Sequence, residues 1–102
     1  MDAERKSIPL QLELGDKESE GIYSNLAVIT HSSSEFVIDF ARRMPGTPKA
    51  KVYARVVMTP PNVLLLMKTL EQNLAVYEEK FGKIRVEGLD DSGKSDIGFR
   101  AS

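Results

Sequence analysis

The chain has 102 residues, 41% apolar and 28% charged, with a formal net charge of -1 and no cysteine. Those values fit one globular domain with a modest core, and they exclude disulfides, thiol catalysis and thiolate metal sites. No apolar run approaches the roughly 20 residues that cross a bilayer, and the polar residues 1–7 are not a secretory signal, so the cytoplasm is the expected compartment.

In chain order, residues 1–7 are expected to fray, leaving one domain over residues 8–86 and a mobile polar tail over 87–102. Ile8, Leu10, Leu12 and Leu14 alternate with polar residues, which predicts a strand; Pro9 confines it to a sheet edge. The glycine-bounded, charged stretch 15–21 reads as a loop.

Three further period-two runs predict a β-meander over residues 23–58. Leu26, Val28 and Thr30 point one way in the first, with Tyr23, Asn25, Ala27, Ile29 and His31 opposite. Phe36, Ile38 and Phe40 form the apolar row of the second; Ala50, Val52, Ala54, Val56 and Met58 form that of the third. A three-residue loop at 32–34 would set His31 against Glu35, Val28 against Ile38 and Leu26 against Phe40. A loop at 45–49 would set Met44 against Ala50, Phe40 against Ala54 and Asp39 against Arg55. The second face then carries Ala27, Ile29, Val37, Ala41, Tyr53 and Val57 among charges. Apolar surface of that kind meets protein more often than water, so these six are the expected self-association face of a homodimer or tetramer.

Thr59, Pro60, Pro61 and Asn62 end the sheet and open a helix, with Pro61 as the expected first helical residue. Val63, Met67, Leu70, Leu74, Tyr77 and Phe81 then recur at steps of four and three, a heptad seam that Gly82 terminates. Packing of this helix on the sheet is the main expectation, with helix–helix contact across a dimer as the alternative. The two are compatible at different points along its length. Leu64, Leu65 and Val76 fall outside the narrow stripe and point to a second contact surface.

Candidate chemistry is sparse. His31 beside Ser32, Ser33, Ser34 and Glu35 offers a hydrolase reading, but neighbouring turn residues rarely reach a nucleophile–base geometry; a surface His–Glu pair is the better expectation. Asp90, Asp91 and Asp96 lack calcium-loop spacing, so no metal and no cofactor is expected. Arg42, Arg43, Lys49 and Lys51 crowd one hairpin tip, a possible contact for an anion or nucleic acid. The net negative charge, the absence of a nucleic-acid-binding motif and the proximity of an acidic arm argue instead for a solvated turn. Asn25, polar on an apolar strand, is expected to be satisfied by a structural hydrogen bond.

Tyr23, Ser24 and Asn25, the run His31 to Val37, Asp39 and Phe40, Pro48 to Val52, Arg55, Met58 to Pro60, and Tyr77 to Gly82 together resemble a small bacterial family that is a domain of unknown function. That resemblance covers about residues 20–83 and implies no reaction. Four antiparallel strands followed by a long helix from a proline turn also resemble, in topology, the export chaperone SecB. That likeness implies a tetramer holding unfolded chains in apolar grooves, although the second SecB helix is missing or reduced to the tail. The expectation is therefore an α+β domain, a four-stranded antiparallel sheet with one long helix on one face. Its expected function is a non-enzymatic, homo-oligomeric protein-binding module, chaperone-like toward unfolded polypeptide; the alternative is an anion- or nucleic-acid-binding accessory protein.

Overall fold

In a computed structural model of the chain, the described residues are 9–87 together with the backbone of 99–101. The elements are α1 (Asp16–Glu20), β1 (Leu26–His31), β2 (Phe36–Arg43), β3 (Ala50–Met58), α2 (Pro60–Phe81) and β4 (Phe99–Ala101). Their sheet order is β3-β2-β1-β4. The fold is α+β, with an antiparallel sheet and one long helix.

The antiparallel sheet has three strands, not four. β4, three residues long and within the segment expected to be mobile, adds to β1 in parallel. Residues 9–14 form no strand, and Leu10 and Leu12 are 86% and 90% exposed. Alternation gave that run an apolar face but no ladder to join. Pro9 lacks an amide donor, and β4 occupies the free edge of β1 opposite Ala27, Val28 and Ile29. The expected loop at 15–21 contains the short helix α1, which Gly21 stops at φ 76.

The β1–β2 register differs by one residue from the expected one. Ile29 faces Ile38, Ala27 faces Phe40, and His31 faces Phe36, not Glu35. The cause is the turn. The Ser32 N–H donates to the Glu35 carbonyl at 2.9 Å, leaving a loop of only Ser33 and Ser34. The Ser32 hydroxyl accepts the N–H groups of Ser34 and Glu35, both at 3.2 Å. This is local side-chain-to-backbone bonding that closes a hairpin without a left-handed residue.

Between β2 and β3, Asp39 faces Arg55 and Phe40 faces Ala54, as the sequence suggested. A bulge then intervenes: Ala41 faces Val52 and Arg43 faces Ala50, so Ala50 does not face Met44. Tyr53 is the extra residue, and the bulge splits the expected apolar row of β3 between the two faces. One face now gathers Ala27, Ile29, Phe36, Ile38, Phe40, Ala54, Val56 and Met58; the other gathers Leu26, Val28, Val37, Ala41, Val52 and Val57. The buried apolar residues are Leu26, Ala27, Ile38 and Ala41, all in the middle strands.

α2 begins one residue earlier than expected, with Thr59 at the cap and Pro60 as the first helical residue. It runs 22 residues to Gly82, whose φ of 94 and N–H to Glu78 carbonyl bond (2.9 Å) end it. No residue of α2 is buried. The expectation that it lies across the sheet is overturned: Leu70 and Leu74 remain 54% and 49% exposed. A single linking residue, Thr59, is too short to turn the chain back over the sheet, since such connections ordinarily need two to six.

Candidate functional site

α2 carries the main apolar surface of the described residues. Its seam residues Met67, Leu70, Leu74, Tyr77 and Phe81 are all exposed, Phe81 to 72%. Tyr77 and Phe81, one turn apart, bring their rings to 5.0 Å between centroids. Such a row, left in water, is unlike the outer face of a surface helix, which is polar.

Two open apolar clefts lie along α2, the second of them lined in part by the seam residues themselves. The first, about 500 Å³, lies where β3 meets α2 and is lined by Val57, Met58, Thr59, Asn62, Leu65, Leu66 and Thr69. The second, about 560 Å³, runs along the C-terminal half of α2 between Leu70 and Phe81, with Asn73, Val76, Lys80 and Ile84 on its walls. Ile84 is held there because its N–H donates to Glu78 Oε2 at 3.1 Å, which folds the chain after Gly82 back beside the helix. Of Leu64, Leu65 and Val76, which signalled a second contact surface in the sequence, Leu65 lines the first cleft and Val76 the second. The part played by Val57 and Met58 was hidden by the mistaken helix placement.

The six residues expected to form one self-association face do not share a face. Ala27 and Ile29 lie with Phe40 and Ile38, whereas Val37, Ala41 and Val57 lie on the opposite side. Ala27 and Ala41 are also buried, at 3% and 2% exposure. Tyr53 sits in the bulge.

Of the four basic residues at the hairpin tip, two come together. Arg42 and Lys51 face each other across the strands, and both stand over the Tyr53 ring, at 4.4 and 5.1 Å from its centroid. The Arg42 guanidinium is also 5.9 Å from the Tyr23 ring. The ring's negative face offsets the repulsion of two like charges placed opposite each other. Arg43 lies on the other face, its backbone clasped by Asn25: the Arg43 N–H donates to Asn25 Oδ1 (2.8 Å), and Asn25 Nδ2 donates to the Arg43 carbonyl (3.0 Å). Asn25 thus continues the β1–β2 ladder with its side chain, the structural role expected of it. Lys49 lies in the turn, where its carbonyl accepts from Thr47 Oγ1 at 3.4 Å.

Asp39 and Arg55 make a two-pronged pair at 2.7 and 2.9 Å. The hydrogen bonds from Arg55, aided by its charge, hold the Asp39 carboxyl below its usual value against partial desolvation. The His31 ring stacks on Phe36 at 5.3 Å, and the Ser32 oxygen is engaged by two backbone amides. Among the described residues no group of three or more His, Cys, Asp or Glu side chains is placed to hold a metal ion. Asp90, Asp91 and Asp96 lie outside those residues. No helix among them is long and apolar enough to cross a membrane.

A family model described as "Protein of unknown function (DUF3467)" matches residues 1–86. The chain belongs to this family. No curated protein and no solved structure matches the chain. The DUF3467 match takes in β1, β2, β3 and the whole of α2, together with both clefts.

Proposed function

We propose that the chain is a non-enzymatic protein-binding module that self-associates through α2 and holds apolar polypeptide segments in the clefts beside it. The observation that carries this reading is a 22-residue helix with no buried residue and a continuous row of large exposed side chains. Exposed apolar patches of that extent mark interaction surfaces. The clefts are lined by flexible aliphatic and aromatic groups with few polar atoms, chemistry suited to unfolded chains of varied sequence.

The alternative, anion binding at the hairpin tip, is supported less well. Its cluster shrinks to Arg42 and Lys51, and both cations already stand over Tyr53.

The test is suppression of aggregation. Purified protein at micromolar concentration is expected to delay light scattering from a reduced, unfolded model polypeptide, and Leu66→Ser or Met58→Ser is expected to weaken that effect at least several-fold. An unchanged scattering curve at tenfold molar excess of the protein contradicts the proposal.

A further inference from the structure

The apolar residues along α2 are spaced so that the helix can meet a copy of itself running either way. The steps between Val63, Met67, Leu70, Leu74, Tyr77 and Phe81 are four, three, four, three and four, the same read in either direction. We infer that two copies of the chain pair through α2 in antiparallel orientation, about a two-fold axis at the level of residue 72, and that each apolar groove of the dimer is built from both copies. The inference rests on the self-association reading above and specifies its geometry.

Antiparallel pairing sets Leu70 beside Leu74 of the second copy, Met67 beside Tyr77, and Val63 beside Phe81. Each of the three layers therefore matches an aliphatic side chain with a partner of equal or greater size. Parallel pairing would instead stack valine on valine at one end and phenylalanine on phenylalanine at the other. Charge favours the same orientation. Before residue 72 the helix carries Lys68 and Glu71, and after it Glu78, Glu79 and Lys80. The N-terminal side is thus neutral and the C-terminal side net negative, so antiparallel packing keeps the two acidic ends apart, and the helix dipoles oppose. Parallel packing would lay the acidic halves together. The seam with its flanking Leu64 and Leu66 exposes on the order of 700 Å² per copy, close to the roughly 800 Å² per partner of a standard stable interface.

The clefts fit this arrangement. At about 100° per residue, Asn62, Leu66 and Thr69 lie roughly a quarter turn round the helix from the seam and Leu65 nearly half a turn, on the side where Val57 and Met58 approach. Asn73, Val76 and Lys80, which wall the second cleft, lie on that same side further along. A two-fold axis perpendicular to both helices keeps this side common to the two copies. Pairing covers the seam residues of the second cleft and leaves its outer wall beside the first cleft of the other copy, so the pair builds two grooves, each with Met58 and Leu66 from one copy and Val76 and Ile84 from its mate.

The cysteine-free sequence allows a direct test by single-cysteine spin labelling of the full chain at Asn73 and, separately, at Lys80. Equivalent residues in an antiparallel pair move apart along the axis by about 3 Å for each position away from the centre. Labels at Asn73 are thus offset axially by about 6 Å or less and labels at Lys80 by about 24 Å. The expected result is a dimer with a short interspin distance at Asn73 and one longer by about 10 Å or more at Lys80. Equal distances at the two sites would show parallel helices and overturn the inference. A dimer whose labels at both sites lie beyond the range of a helix pair would overturn it while leaving self-association intact. A monomeric mass for the unlabelled chain would overturn both.

Discussion

At the scale of single residues, the polar groups of the sheet serve its construction. Asp39 and Arg55, opposed across the β2–β3 ladder, form the one ion pair of the described residues that joins two strands. Because the folded-state value of Asp39 is depressed from 3.8, its contribution to stability is present above the unfolded value and is lost as pH falls through the folded one. Asp39→Asn is therefore expected to lower the melting temperature at pH 7. The gap from the parent should narrow below about pH 4 and close at lower pH, as followed by circular dichroism. A gap that persists unchanged to pH 2 would assign the loss to packing rather than to charge. The pair is solvent-facing on the arginine side, so added salt should shrink the gap as well. Both this pair and the structural role of Asn25 were legible from the sequence, because each follows from one side chain against a regular strand.

At the scale of elements, legibility depended on punctuation. α2 was plain because proline at its start and glycine at its end bracket a heptad pattern. Gly82 keeps open space around the position of a Cβ yet sits at positive φ, so Gly82→Ala is expected to cost about 1–2 kcal/mol from backbone strain alone, measurable by denaturant titration. A cost near zero would mean that the terminus is not held in the left-handed region. The strands were also plain as apolar runs, but their faces were not. Ser32 closes the first hairpin with its side chain, which shortens the loop to two residues and shifts β1 by one. No residue type announces the bulge at Tyr53. Since side chains alternate with period two, each of these single-residue events exchanges the two faces of a strand, and together they dispersed the expected self-association face. The run from Leu10 to Leu14 misled for another reason: alternation reports amphipathic character, not the presence of a free sheet edge.

At the scale of the whole molecule, the buried core of the described residues is small. It comprises Leu26, Ala27, Ile38 and Ala41, while both sheet faces and all of α2 keep apolar surface in contact with solvent. Burying a large apolar side chain is worth about 1.5–3 kcal/mol. The half-exposed seam of α2 thus leaves on the order of 5 kcal/mol unrealised in each isolated copy, comparable with the 5–15 kcal/mol that stabilises an ordinary domain. The missing burial is the physical basis of the proposed pairing with a second copy. Why the helix was misplaced by sequence reasoning follows from the same imbalance: an apolar seam calls for a cover but does not say which surface supplies it, and among the described residues the sheet does not.

Sedimentation equilibrium of the full chain from about 1 to 100 μM, with Leu74→Glu alongside, tests this most directly. The account predicts a particle of at least twice the 11.3 kDa chain mass, reduced to a single chain of lower stability by Leu74→Glu. A parent protein that sediments as a folded 11.3 kDa monomer throughout that range, or an assembly that Leu74→Glu leaves unchanged, would contradict it.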